Sequence, residues 1–298
     1  MGKVAFLGTG KMGGAMAARL LDAGHAVTVY NRSADKLAPL VDKGAQAART
    51  PGEAATGADV VIAMVMNDDA SRVVWCGPDG ALSAARVPGG AVAVECSTVS
   101  HPWVMELGKQ ATAAGFNFLD CPVAGRPPVA TAGQLAVFAG GDVAVLDKAR
   151  PYLAAFSKSV ARFGPIGSGI AFKLIYNLLG AIQVASLAEA MAACAAAGID
   201  PAMAAAAFAD GGTGSPQVKQ HGPTMAGGVY PKPPAFSPEG RVKDLSYGIA
   251  LIEQSGARSM LGETTRSLFL NMIQGGGANI NDIELYEWLK RQAGKRRS

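Results

Sequence analysis

Lys173 and Asn177 are the polar pair whose placing first invites a chemical reading. They lie four apart in Ile170-Ala171-Phe172-Lys173-Leu174-Ile175-Tyr176-Asn177, an otherwise apolar stretch, so on a helix they share one face. A lysine in such surroundings either snorkels outward to water or stands in a cleft with a partner. In a cleft, partial desolvation draws an ammonium down from its usual pKa of about 10.4 toward working pH. Reduction of a carbonyl needs such a donor for the developing alkoxide. Asn177 would hold the lysine or the substrate oxygen.

A second set of residues has the spacing of a phosphate cradle. Gly8-Thr9-Gly10-Lys11-Met12-Gly13 is a GxGxxG run between an apolar segment, Lys3-Val4-Ala5-Phe6-Leu7, and the helical stretch Ala15-Met16-Ala17-Ala18-Arg19-Leu20-Leu21. Gly8 turns the chain, Gly10 lets the backbone approach a pyrophosphate, and Gly13 lets helix pack on strand. The helix N-terminus then receives the anion through its N–H groups and dipole. The bare pattern also fits an ordinary glycine-rich turn, but a strand before it and a helix after it point to a dinucleotide site. Met64, ending the apolar run 60–64, and Val65 just after it are further candidates for binding the cofactor. Further on, Asn31-Arg32-Ser33 stands where an NAD site usually has an Asp or Glu for the ribose 2′-OH. Without that acid, Arg32 as a planar cation and Ser33 as a donor suit a 2′-phosphate, unless Arg32 only caps a strand in solvent. NADP(H) is therefore expected ahead of NAD(H).

The elements that must position these residues follow from the hydrophobic pattern. Short β-branched runs at 3–7, 26–30, 60–64, 91–95, 117–120 and 135–139, with 160–163 as a last one, alternate with Ala-rich helical stretches such as 13–23 and 51–55. Alternation of this length means crossover connections and a mostly parallel, doubly wound α/β sheet covered on both faces. From Ser168 the texture becomes a helix of about thirty residues stopped near Gly198 and Pro201. Further helices are expected at 201–209, 243–254, 260–274 and 283–292. The Gly/Pro-rich segment 211–240 reads as irregular connection. The expected organisation is a Rossmann-type NADP-binding domain over 1–165 and an all-helical domain over 166–298, opened by the long helix. That helix exposes more apolar surface than a domain of this size can bury, so a homodimer or homotetramer is expected.

Composition excludes several classes. Of 298 residues 49% are hydrophobic and 17% charged, which calls for a packed core and rules out a disordered chain. The net charge is +4, yet 290–298 carries five cations and no acid, leaving the remainder at −1. A near-neutral body offers no nucleic-acid-binding face, and the basic end is expected to fray. The charges at Lys173 and Glu189 make the long apolar stretch poor material for a bilayer span. Cys76, Cys96, Cys121 and Cys194 lie far apart and, like His25, His101 and His221, lack metal-ligand spacing, so reduced thiols, no metal and a cytoplasmic location are expected. Asp68-Asp69 reads as a cap of the following turn.

The motifs together resemble the β-hydroxyacid dehydrogenase family, which includes 3-hydroxyisobutyrate dehydrogenase and glyoxylate/succinic semialdehyde reductases and, more distantly, 6-phosphogluconate dehydrogenase and the imine reductases. Gly8–Gly13 looks like its cofactor fingerprint and Glu95-Cys96-Ser97-Thr98 like its Ser-Thr turn. Asp120-Cys121-Pro122-Val123-Ala124-Gly125 looks like its DxPVSG substrate segment, and Gly167 to Asn177 like its GxGxxxKxxxN catalytic segment. Phe236 followed by Lys243-Asp244-Leu245 looks like its late FxxxxxxKDL pattern. The resemblance implies Lys173 as general acid/base with Asn177 its neighbour, Ser97 and Lys243 at the nicotinamide end, and Ser97, Thr98, Val123, Ala124 and Gly125 around a small-molecule substrate. It implies hydride transfer between NADP(H) and a small β-hydroxy acid or its semialdehyde. The chain departs from the pattern at Ala124, which removes a hydroxyl, at Arg126 in place of glycine, and at Pro127-Pro128, which have no N–H to offer. Either Arg126 grips a substrate carboxylate as a fork or it faces solvent. The altered segment leaves room for two other readings, C=N reduction and a non-catalytic NADP-binding scaffold; Lys173, Asn177 and Lys243 together speak for the dehydrogenase.

Overall fold

The computed structural model describes residues 1–84 and 90–295, with side chains to residue 292. Among the described residues nine strands form one sheet: β1 (Lys3–Leu7), β2 (Ala26–Tyr30), β3 (Gln46–Ala47), β4 (Val60–Ala63), β5 (Val92–Glu95), β6 (Asn117–Asp120), β7 (Val123–Ala124), β8 (Leu135–Gly140) and β9 (Ser157–Gly164). Their order is β3-β2-β1-β4-β5-β6-β8-β7, with β9 paired to β8. Strands β1 to β6 pair in parallel, β8 runs antiparallel to β6 and β7, and β9 is parallel to β8. All four residues of both β4 and β5 are buried, as expected of strands covered on both faces. The order reverses between β1 and β4, and in such sheets ligands bind in the crevice outside the carboxyl ends of the strands at that point.

The chain divides into two compact units, Met1–Lys173 and Leu174–Ser298. The first holds the sheet with helices α1 (Lys11–Asp22), α2 (Asp68–Cys76), α3 (His101–Ala113) and α4 (Val143–Leu153), and the start of α5 (Ser168–Ala196). Its core joins Phe6 and Ile62 of the sheet to Met16 and Leu20 of α1 and Leu146 of α4. Asn67, Ser100 and Asp142 cap α2, α3 and α4 through side-chain oxygens. The second unit is helical: the rest of α5, then α6 (Pro201–Asp210), α7 (Pro216–Gly227), α8 (Pro238–Gln254), α9 (Met260–Gln274) and α10 (Leu285–Lys295). Helix α5 is long and apolar enough to pass for a membrane span, but Ala181, Val184, Ala188 and Met191 on one face of it belong to the second unit's core.

One expectation is overturned. Residues 211–240 are not simply irregular connection, since α7 occupies 216–227 and α8 begins at Pro238. Ser215 caps α7 with Pro216 following, Gly228 ends it in the left-handed conformation, and Val218, His221, Gly222 and Met225 are buried at helical spacing. Pro223, eighth in the helix, is tolerated despite its missing N–H. The short strands β3 and β7 were also not foreseen. The basic end is helical to Lys295, and its last residues, 296–298, lie outside the described residues.

Candidate active site

At the carboxyl end of β1 the three glycines have separate physical reasons. Gly8 has φ +94°, and a Cβ there would stand 2.5 Å from the Met64 carbonyl oxygen and 2.9 Å from a Val65 methyl. A Cβ on Gly13 would meet the Gly8 oxygen at 1.9 Å, so the first turn of α1 rests directly on the loop. Gly10, the N-cap of α1, has nothing among the described residues within 4 Å of its absent Cβ and faces open space. Helix α1 starts with no side-chain cap and no acidic residue in its first turn. Thr9 is buried, and among the described residues its hydroxyl oxygen has no hydrogen-bond partner. A buried hydroxyl left over beside an uncapped helix N-terminus and an open glycine suits a pyrophosphate.

The end of β2 is tied to this loop by one side chain. The Thr9 N–H donates to Asn31 Oδ1 at 3.0 Å, and Asn31 Nδ2 donates to the Ser33 carbonyl at 2.9 Å. Both polar ends of Asn31 thus shape the turn that carries Arg32, which is exposed, and Ser33, which is half-buried. Lys11 is exposed beside half-buried Met12, and Met64 and Val65 are half-buried at the end of β4.

Ser97 and Thr98 follow β5. Ser97 is fully buried, and its hydroxyl oxygen accepts the Val65 N–H at 2.8 Å. Its own N–H donates to Glu95 Oε1 at 2.9 Å. The other oxygen of Glu95 accepts from Trp75 Nε1 at 2.9 Å and from the Ser71 hydroxyl, which in turn accepts Trp103 Nε1 at 2.8 Å. Burial pushes the Glu95 carboxyl above its ordinary range while these donors pull it back. Ser97 is placed to lock the ends of β4 and β5 together; Thr98, half-buried, is the more accessible of the two.

The substrate segment begins at the end of β6. Asp120 is fully buried, and its carboxylate accepts the N–H groups of Gly167 at 2.8 Å and Ile170 at 2.7 Å at the start of α5. Burial raises the Asp120 carboxyl to about 6 against those hydrogen bonds. Val123 is buried and Ala124 half-buried in β7, and Gly125 is exposed with φ +140°. Arg126 is half-buried and is the N-cap of a short helical turn, Pro127–Thr131. Pro127 and Pro128 open that turn, where N–H groups would have no helical partner in any case.

Lys173 is 7% exposed and lies in the second turn of α5. Within the second unit, Asn177 Nδ2 donates to Asp244 Oδ2 at 2.7 Å, and Lys243 Nζ lies 3.1 Å from Asp244 Oδ1. The approach of α8 to α5 that allows this is close, since a Cβ on Gly248 would stand 3.1 Å from the Leu174 oxygen. Asp244, 3% exposed, therefore joins two of the residues singled out from the sequence. It was not itself among them, although Lys243-Asp244-Leu245 contained it. Glu95 and Asp120 were missed in the same way, as letters of motifs whose partners are 20 to 50 residues distant.

The chain is similar to known proteins along most of its length. Residues 3–164 match the family model for the NAD binding domain of 6-phosphogluconate dehydrogenase. Residues 167–289 match that for the NAD-binding region of NADP-dependent 3-hydroxyisobutyrate dehydrogenase. The chain is 34% identical over 276 residues to 3-hydroxyisobutyrate dehydrogenase of Pseudomonas aeruginosa, covering 90% of this chain and 91% of that one. It is 32% identical over 266 residues to the chloroplastic glyoxylate/succinic semialdehyde reductase 2 of Arabidopsis thaliana, covering 89% and 73%. Among solved structures, Mycobacterium tuberculosis 3-hydroxyisobutyrate dehydrogenase with L-serine superposes with a TM-score of 0.87 at 26% identity, covering 97% and 99%. An imine reductase of Streptomyces aurantiacus shares the fold, at 22% identity and a TM-score of 0.59, covering 96% and 99%.

Fold, glycine cradle and matched models define an NAD(P)-dependent oxidoreductase with a Rossmann-type sheet followed by helices. Within that class, the chain belongs to the β-hydroxyacid dehydrogenase family, whose named members act on hydroxyl groups.

Proposed function

We propose that this enzyme catalyses NADP(H)-dependent interconversion of a small β-hydroxy acid and its semialdehyde, with Lys173 as the general acid/base. The observation that carries this is the burial of Lys173 in the second turn of a helix whose first turn is docked, through Asp120, at the carboxyl end of a sheet strand. Gly8, Thr9, Gly10, Lys11, Met12 and Gly13 would hold the pyrophosphate. Arg32 and Ser33 would meet the 2′-phosphate, because Asn31 presents no negative charge there and spends its amide on the loop. When bound, the nicotinamide supplies the hydride in reduction and takes it up in oxidation. Lys173 gives a proton to the carbonyl oxygen in one direction and removes it from the hydroxyl in the other, a contribution on the order of 10²–10⁴ in rate. Asn177, one helical turn along, orients the group that receives the proton. Thr98, Val123, Ala124 and Gly125 line the substrate, and Arg126 takes the carboxylate that the altered loop no longer meets with a serine. Ser97 serves by holding Val65 and the turn before Thr98, and Lys243 serves at the nicotinamide end.

The names of the Pseudomonas and Arabidopsis relatives support an acidic aldehyde or its alcohol as substrate. The departures at Ala124, Arg126 and Pro127 favour keeping C=N reduction as the second reading. One experiment separates them: oxidation of NADPH and of NADH with glyoxylate, succinic semialdehyde, tartronate semialdehyde, neutral aldehydes and cyclic imines, in wild type and Lys173→Ala. Turnover of an acidic aldehyde with NADPH, lost in Lys173→Ala, is the expected result; turnover of imines alone, or a variant as active as wild type, overturns the assignment. We further infer a cytoplasmic enzyme that forms a homodimer or homotetramer; exposed Ile175, Tyr176 and Leu179 on α5 support the association, and solution scattering tests it.

A further inference from the structure

Asp120 has no route to a substrate of its own. The side chain is fully buried, and its two oxygens are taken by the N–H groups of Gly167 and Ile170. Helix α5 runs from Ser168, so these donors are its N-cap and its third residue. The carboxylate therefore does for α5 what a capping box does for other helices, but from a strand that lies 47 and 50 residues earlier in sequence. A carboxylate at this end also complements the helix dipole.

Two further contacts fix the same turn. A Cβ on Gly169 would stand 2.4 Å from the Phe138 oxygen, 2.7 Å from the Asp120 oxygen and 2.8 Å from the Gly140 nitrogen, so the helix rests on the backbones of β6 and β8. A Cβ on Gly140 would in turn meet Asp120 Oδ1 at 2.4 Å, leaving the carboxylate one place to be. The Phe172 ring stacks on Phe163 at 4.0 Å and meets Phe138 edge-on at 4.8 Å. Hydrogen bonds, backbone contact and an aromatic trio thus pin the turn that ends at Lys173, the residue after Phe172 and three beyond Ile170.

From this arrangement we propose that Asp120 is a positioning residue for Lys173, acting through the first turn of α5 and touching neither substrate nor cofactor. The inference rests on Lys173 being the acid/base of the proposed reaction. Its consequence is kinetic. A displacement of the lysine by about 1 Å costs on the order of 10²-fold in rate, whereas the glycine cradle that binds the cofactor lies at β1 and is not disturbed.

The test is a double-mutant cycle on the full-length enzyme with Asp120→Asn, Lys173→Ala and the pair. The amide keeps the size of Asp120 but turns an N–H toward one of the two donors. The expected result is a kcat lowered by about 10- to 100-fold with KM for NADPH unchanged, and no further loss when Asp120→Asn is added to Lys173→Ala. An equal loss in both backgrounds, or an unchanged kcat, overturns the proposal. Should Asp120→Asn fail to fold, Phe172→Leu loosens the same turn without touching the carboxylate, and the same non-additivity decides. If Lys173→Ala alone keeps wild-type kcat, it is the assignment of the acid/base that fails, and this is known before any Asp120 variant is read.

Discussion

Glu95 and Asp120 are cross-strand partners, paired in register at the carboxyl ends of β5 and β6, and both are fully buried. Each carboxylate turns outward from the strand end to a different client. Glu95 gathers Ser71, Trp75 and the Ser97 N–H, and so fixes the loop that carries Thr98. Asp120 gathers the first turn of α5, and so fixes the helix that carries Lys173. Two neighbouring acids at the carboxyl end of the sheet thereby place two of the segments that the proposed chemistry uses.

The raised pKa of Asp120 gives a stability signature with a definite sign. A carboxyl near 4 in the unfolded chain and at about 6 in the folded one binds its proton more tightly when folded. Its contribution is then full below pH ~4 and is lost as pH rises through ~6, amounting to at most about 3 kcal/mol. In Asp120→Asn this component is gone. Denaturant unfolding of wild type and Asp120→Asn between these pH values should show the stability difference moving in favour of the variant as pH rises. A difference that stays flat with pH would mean that Asp120 is ionised throughout.

Gly10 and Gly13 should respond oppositely to one added methyl group. Gly13→Ala drives a carbon into the Gly8 carbonyl, so the protein loses about 1–3 kcal/mol and melts lower before any ligand is considered. Gly10→Ala puts its carbon into open space from a backbone conformation that alanine accepts, so melting is unchanged. Its effect should be on the cofactor alone, raising KM by about ten-fold, or ~1.4 kcal/mol. Thermal melts of the apo proteins beside cofactor titrations separate the two; a Gly10→Ala enzyme with wild-type KM would move the pyrophosphate elsewhere.

The features readable in the sequence are those whose meaning is local. The order of turn, glycine and helix at Gly8 to Gly13 and the four-residue spacing of Lys173 and Asn177 need only neighbours along the chain to be understood. The long strands were readable for the same reason, because runs such as Val60-Val61-Ile62-Ala63 are apolar enough to be buried on both faces. The two-residue strands β3 and β7 carry too few side chains for any period to show. Helix α7 was obscured because its glycines and prolines read as breakers, although Ser215-Pro216 is a regular helix start. Asp120, Glu95 and Asp244 needed the fold, because each acts on partners that only the folded chain brings near. The two cysteines beside the acids, Cys96 and Cys121, are buried with their thiols pushed well above the usual range, in keeping with small core residues.

Asn31 makes the cofactor preference testable with two variants that should differ. Asn31→Asp keeps an acceptor for the Thr9 N–H but replaces the donor to the Ser33 carbonyl with negative charge, beside the proposed 2′-phosphate position. The ratio of kcat/KM for NADPH over NADH should fall by ~10- to 100-fold, the worth of a charge-assisted hydrogen bond. Asn31→Ala removes both bonds and adds no charge, so it should loosen the loop and weaken the two cofactors alike. Steady-state kinetics with both cofactors decide; equal losses in the two variants would show that Asn31 shapes the turn without bearing on the 2′ position.

Asp244 is the acid whose removal should separate structure from chemistry in the helical unit. It is buried, accepts from Asn177 and pairs with Lys243, which is partly open to water. Asp244→Ala leaves Asn177 without its acceptor and should cost about 1–3 kcal/mol of stability. Asp244→Asn can still accept from Asn177 but no longer neutralises Lys243, whose ammonium keeps some access to water, so its fold should lose less than that of Asp244→Ala. If Asn177 and Lys243 are held for catalysis by this carboxylate, Asp244→Asn should lower kcat while its melting temperature stays near wild type. Melting curves and kcat measured on the same preparations provide the check: a variant with both values at wild-type levels would leave Asp244 a purely structural tie between α5 and α8.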